Sequence, residues 1–129
     1  MSGKKPQVEL YSYGIYSSWD RSSRELPKLK EITTNIPVIP DVEFGYVLKI
    51  KGAKGKILEY QIFHPPFEDE DGNVAPPFTG EVLINSNDWE FYLGDTVWEP
   101  YNNKAGEWII ITRLQNKEIA RKKFVLFLP

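Results

Sequence analysis

The chain contains a single histidine, His64, and no cysteine. A serine-hydrolase mechanism would therefore have to use His64 as its general base. The serines at positions 12, 17, 18, 22, 23 and 86 supply no partner in a Gly-x-Ser-x-Gly elbow. Within Phe63-His64-Pro65-Pro66-Phe67, His64 reads instead as a loop residue packed on proline rings. The lack of cysteine removes thiol catalysis, disulfides and zinc–thiolate sites, and any metal site would be mostly carboxylate.

The one acidic cluster is Glu68-Asp69-Glu70-Asp71-Gly72-Asn73. Asp69, Asp71 and Asn73 have the oxygen ligands that calcium takes, but the spacing departs from the helix-loop-helix calcium motif. That motif needs glycine at its sixth loop position and a bidentate acid at its twelfth. Counted from Asp69, the sixth and twelfth places fall on Val74 and Gly80, so a solvated turn with Asp71-Gly72 at its tip is the better reading. Pro-Pro-Phe occurs on both sides of this turn, at 65–67 and 76–78, as expected of an extended arm folded on itself with each Phe pinned to the body. Gly52-Ala53-Lys54-Gly55-Lys56 lacks the spacing of a phosphate-binding loop. With eighteen acids in the chain, some carboxylate pair at glycosidase separation is inevitable and points to nothing. Tyr11, Tyr13, Trp19, Trp98 and Tyr101 are the residues from which a sugar-stacking surface could be built. The catalytic and cofactor expectation is none.

These residues must be positioned by β-structure. No segment keeps the apolar spacing of an amphipathic helix, and 20–31, the nearest to one, is interrupted by Pro27 and reads as an exposed connection. Alternation with a period of two recurs instead, at 7–17, 30–36, 42–51 and 56–63, with shorter runs at 81–85 and 89–93. In 42–51, Val42, Phe44, Tyr46, Leu48 and Ile50 share a face, and Gly52 to Gly55 predicts a hairpin into 56–63. Residues 64–79 and 94–105 read as connections. Gly106 to Leu114 and Glu118 to Leu128 form a closing hairpin around Gln115-Asn116-Lys117. Seven or eight short strands without helices predict an all-β, antiparallel, immunoglobulin-like sandwich in two sheets, with a closed barrel as the alternative. Trp108, Phe44, Phe91 and Phe124 are the expected centre of the core.

A length of 129 residues suits a single domain, 1–129, with 1–6 as a flexible tail. The net charge of −2 conceals a division along the chain: residues 64–107 carry one Lys or Arg against ten Asp or Glu, and 108–129 carry five against one. A sequence pI near 5.5 argues against nucleic acid as a partner. No run reaches the length of a membrane span, and the start lacks a signal peptide, so the chain reads as cytoplasmic, or as exported if a leader has been removed.

The motifs Tyr11-Ser12-Tyr13-Gly14-Ile15-Tyr16, Ile36-Pro37, Phe44-Gly45, His64-Pro65-Pro66 and Gly106-x-Trp108 together resemble a bacterial family of unassigned function made of single immunoglobulin-like domains. The resemblance implies a sandwich and brings no catalytic or ligand residues with it. The leading expectation is a non-catalytic module that binds a protein partner or a second copy of itself. Its motive is Phe124-Val125-Leu126-Phe127-Leu128, apolar on both faces of the last strand, whose outer face needs cover from the 65–78 arm or from a neighbour. Binding of a carbohydrate or small ligand through the exposed aromatics comes second, and hydrolysis through His64 last.

Overall fold

A computed structural model describes residues 5–17, 25–68 and 71–129. Among these, nine strands run in chain order: β1 (Gln7–Tyr16), β2 (Leu29–Glu31), β3 (Asn35–Pro37), β4 (Glu43–Lys51), β5 (Ile57–Phe63), β6 (Phe78–Leu83), β7 (Asp88–Thr96), β8 (Gly106–Leu114) and β9 (Lys117–Phe127). One sheet has the order β2-β1-β4-β7 and the other β3-β9-β8-β5-β6. All pairings are antiparallel except that of the short β3 with β9. The two sheets stack as an open sandwich, not a closed barrel. Between β7 and β8 lies a single 3-10 turn, Tyr101–Asn103.

Alternation dictates the stacking, because successive side chains of a strand point to opposite faces. Phe44, Tyr46, Leu48 and Ile50 of β4 meet Trp108 and Ile110 of β8 and Phe124 of β9 in one buried cluster. Tyr46 and Thr112, both buried, hydrogen-bond across the sheets through their hydroxyl groups. At the far margin the Lys122 ammonium lies 3.8 Å from the Tyr13 ring centre. The β8–β9 hairpin forms as expected, turning on Gln115 and Asn116, both at positive φ (53° and 63°), the geometry of a two-residue hairpin turn.

Three expectations are corrected. Residues 42–51 and 56–63 do not form a hairpin, since β4 and β5 belong to different sheets. The 52–56 corner hydrogen-bonds to the neighbouring 84–87 corner instead: Gly52 N–H to Asn87 O (2.9 Å), Gly55 N–H to Ile84 O (2.7 Å) and Lys54 N–H to the Asn87 side-chain oxygen (3.1 Å). Ala53 is buried between them and closes that end of the core. The expected strand 30–36 is likewise two strands in different sheets, β2 and β3. The chain changes sheets at a Thr33 turn, where the Thr33 hydroxyl accepts the Asn35 N–H at 3.0 Å, and Ile32 is left exposed. Phe91 is half-buried where a core residue was expected, because β7 is an edge strand with no further strand beyond it among the described residues. Tyr46 takes the central place that the sequence assigned to Phe91.

The outer face of the β2-β1-β4-β7 sheet carries a row of three glycines abreast. Gly14 pairs with Gly45, and Gly45 with Gly94. Two tyrosines cross this row in opposite directions. The Tyr16 hydroxyl reaches the Ser12 hydroxyl at 2.9 Å, and the Tyr92 hydroxyl donates to the buried Glu43 carboxylate, whose other oxygen accepts from Thr96 Oγ1 at 2.6 Å. The rings meet edge-on at 5.0 Å, closed over by Val47 and Leu26. Side chains in place of the glycines would occupy that space: a Cβ on Gly94 would lie 2.3 Å from the Tyr92 hydroxyl oxygen.

Two outcomes follow from this packing. Gly14 sits at φ +136° and a Cβ there would lie 2.0 Å from the Glu31 carbonyl oxygen, so Gly14→Ala should cost at least ~1–3 kcal/mol, seen as a lowered thermal midpoint. Burial raises the hydroxyl pKa of Tyr16, Tyr46 and Tyr92 above the ordinary value near 10. The unfolded chain therefore releases these protons first, and the stability present below pH ~10 is lost as the pH rises beyond it. A tyrosinate absorbance titration should show at least three of the seven tyrosines ionising only as the protein unfolds.

Candidate functional site: an apolar cleft between two sheet edges

β6 ends one sheet and β7 the other, and the space between them opens to solvent as a cleft of about 490 Å³. Tyr60, Ile62, Phe78 and Val82 wall it from one sheet, Phe91 and Leu93 from the other, and Trp98 stands beside them. Thr79 and Asp95 bring polar groups to an otherwise apolar surface. The cleft has a local cause. Gly80 occupies the β6 place that would fill the inter-sheet space, and the Tyr60 phenol lies against it, so close that a Cβ would be 2.4 Å from the ring. Phe91 stacks on Trp89 at 5.1 Å and 9°, a rigid apolar wall on the β7 side.

An aromatic cluster adjoins the cleft through Phe78 and Trp98. The 64–78 arm folds on itself as its repeated Pro-Pro-Phe predicts: Ala75 N–H donates to Phe67 O at 2.8 Å, and Glu68 bridges Val74. His64 is the clasp. Its ring stacks on Phe67 at 4.3 Å, tilts against Phe78 at 4.8 Å and faces Trp108 at 5.7 Å. Nδ1 lies 2.8 Å from the Pro65 carbonyl oxygen and Nε2 2.8 Å from that of Pro76. Both ring nitrogens thus face backbone acceptors, and neither is turned toward a nucleophile. The ring packs on Phe67 and Phe78, contacts that the sequence reading of proline rings did not include.

Lys104 was not singled out by the sequence, yet it is buried here. Its ammonium lies 4.5 Å from the centres of both the Phe67 and Trp98 rings and donates to Pro100 O (3.0 Å) and Asn103 Oδ1 (2.7 Å). Burial pushes it below the usual lysine range, partly opposed by the Asp95 carboxylate. Its backbone carbonyl accepts the Trp108 indole N–H at 2.8 Å. The signal was present, since Lys104 is the only cation in an acid-rich stretch, but composition does not tell a buried cation from an exposed one.

The structure does not gather the aromatic candidates on one surface. Tyr11 is exposed on β1 with the Lys49 ammonium 3.7 Å from its ring centre, Tyr13 packs against the core, Tyr101 does so from the 3-10 turn, and Trp98 borders the cleft. Trp19 lies outside the described residues, as does Asp69. Asp71 and Asn73 are exposed in the turn of the arm, and among the described residues no three His, Cys, Asp or Glu side chains are placed to hold a metal ion. The arm leaves the outer face of β9 uncovered: Val125 and Phe127 are 37% and 42% exposed. Among the described residues no helix is long and apolar enough to cross a membrane.

The model of the family described as "Domain of unknown function (DUF3859)" matches residues 4–126, and the chain belongs to that family. Among solved structures it is similar to an immunoglobulin-like protein from Pseudomonas aeruginosa, at 19% identity and a TM-score of 0.74, over 94% of this chain and 97% of that one. A weaker likeness, at 10% identity and a TM-score of 0.44, covers 92% of this chain and 30% of an alkylpurine DNA glycosylase from Pseudomonas fluorescens. No curated protein matches significantly. The first likeness establishes an immunoglobulin-like fold.

Trp108 and His64 sit on the same cluster at different depths, so their truncations should differ. Trp108→Ala, which empties a fully buried site, should cost about 3–5 kcal/mol in urea denaturation. His64→Ala should cost about 1–2 kcal/mol and speed amide exchange at Ala75, since it removes the clasp and leaves the core intact.

Proposed function

We propose that this member of the family is a non-catalytic binding module that takes its ligand in the β6–β7 cleft. The observation that carries the reading is the cleft itself, about 490 Å³ with mainly apolar walls and two polar residues at its margin. Small-ligand and side-chain sites have this size and balance of surface. Its walls stand on strands held in register by the sheets, so the site exists before a ligand arrives. His64, the residue on which a hydrolase reading depended, has both nitrogens facing backbone carbonyl oxygens of its own arm, one of which accepts its N–H. The dispersal of Tyr11, Tyr13, Trp98 and Tyr101 weighs against a sugar-stacking surface.

A neutral naphthylamine dye tests the site. It should bind with quenching of tryptophan emission and should move the NMR signals of Val82, Phe91 and Leu93. Val82→Phe, which fills the cleft, should weaken the dye about tenfold, or ~1.4 kcal/mol, without lowering the thermal midpoint by more than a few degrees. Dye binding that Val82→Phe leaves unchanged would discard the cleft as the site.

A further inference from the structure

We infer that the cleft receives an extended polypeptide segment in which apolar residues alternate with lysine or arginine, laid along β6 as an added strand. The inference rests on the reading of the cleft as the binding site and adds the class of occupant. Among the described residues β6 pairs with β5 on one side only, so its other edge presents backbone donors and acceptors to a further strand. An extended segment placed there would send every second side chain into the space between the sheets, where Phe78, Val82, Phe91 and Leu93 offer an apolar lining.

The remaining side chains would fall on the outer face, beside Thr79, Glu81 and Leu83. There the charges select the occupant. Glu81 lies directly opposite Glu59 across the β5–β6 pair, and like charges so placed repel. Arg113, on the far side of Glu59, is the one cation in that row, and its Nε turns to Gln61 at 3.4 Å. A lysine or arginine arriving beyond Glu81 would give the two carboxylates a second cation. The other acids near the cleft have the same sign: Asp95 lines it, and Glu99, next to Trp98, is exposed. Residues 64–107 contribute only Lys104, which is buried with its ammonium hydrogen-bonded, so this stretch offers no cation to the rim. An acidic segment would add to the repulsion, and a neutral segment or a small apolar molecule would leave it in place.

The test uses the full chain, isotope-labelled for NMR, with three probes: an alternating Val/Lys peptide, an alternating Val/Glu peptide of equal length and the neutral naphthylamine dye. The Val/Lys peptide should displace the dye, move the amide signals of Phe78 to Leu83 and slow their exchange with solvent. The Val/Glu peptide should bind at least tenfold more weakly. Glu81→Lys, an exposed change, should narrow or reverse that preference. Equal binding of the two peptides overturns the inference, as does a Val/Lys peptide that moves signals elsewhere. Dye binding with no displacement by either peptide overturns it and leaves the cleft as a small-ligand site. Failure of all three probes removes the cleft reading as well.

Discussion

The packing of one indole governs this molecule. The chain has no cysteine, so the two sheets meet without a covalent staple, and Trp108 of β8 lies fully buried where one might stand. It meets Phe44 edge-on at 5.5 Å and Trp98 edge-on at 5.9 Å. A buried indole brings one N–H that must find an acceptor. The acceptor is the Lys104 carbonyl, and the connection between β7 and β8 curls back to provide it. That curl carries the Lys104 ammonium against Phe67 and Trp98, and Trp98 to the border of the cleft. The connection that satisfies one donor in the core thus also places Trp98 at the cleft.

Much of the architecture was legible because alternation is a local signal. Val8, Leu10, Phe44, Tyr46, Leu48, Leu58 and Ile62 could be assigned inward from their spacing alone, and the Gln115-Asn116 turn from its polarity. What escaped was the choice of strand partner. A four-residue Gly-rich link such as 52–55 serves a hairpin and a sheet-to-sheet corner equally well, and only the distant 84–87 segment, to which it bonds, separates them. The cleft was illegible for a related reason. It depends on a missing side chain at Gly80 and on β6 and β7 both lying last in their sheets, which is a property of topology and not of any one stretch. Lys104 and Glu43, charged and buried, run against the rule that such residues face water, and only their partners account for them.

The two open edges differ in how they meet solvent. Exposed strand edges invite pairing with other chains, and folded proteins blunt them with charge. β6 carries Glu81, and β7 carries Asp88 and Glu90, so two copies of the domain would bring acid against acid at this margin. β9 instead has the short β3 alongside its last residues and the Lys122 ammonium over Tyr13 at its middle. One side of the sandwich has its own chain along the last residues of its edge, and the other carries acids.

Three glycines abreast also bear on how the chain assembles. If β4 slipped by one place against β7, Tyr92 would lose Glu43, and Phe44, Tyr46, Leu48 and Ile50 would exchange interior for water. The crossed phenols therefore favour one strand alignment within this sheet, through contacts that do not involve the second.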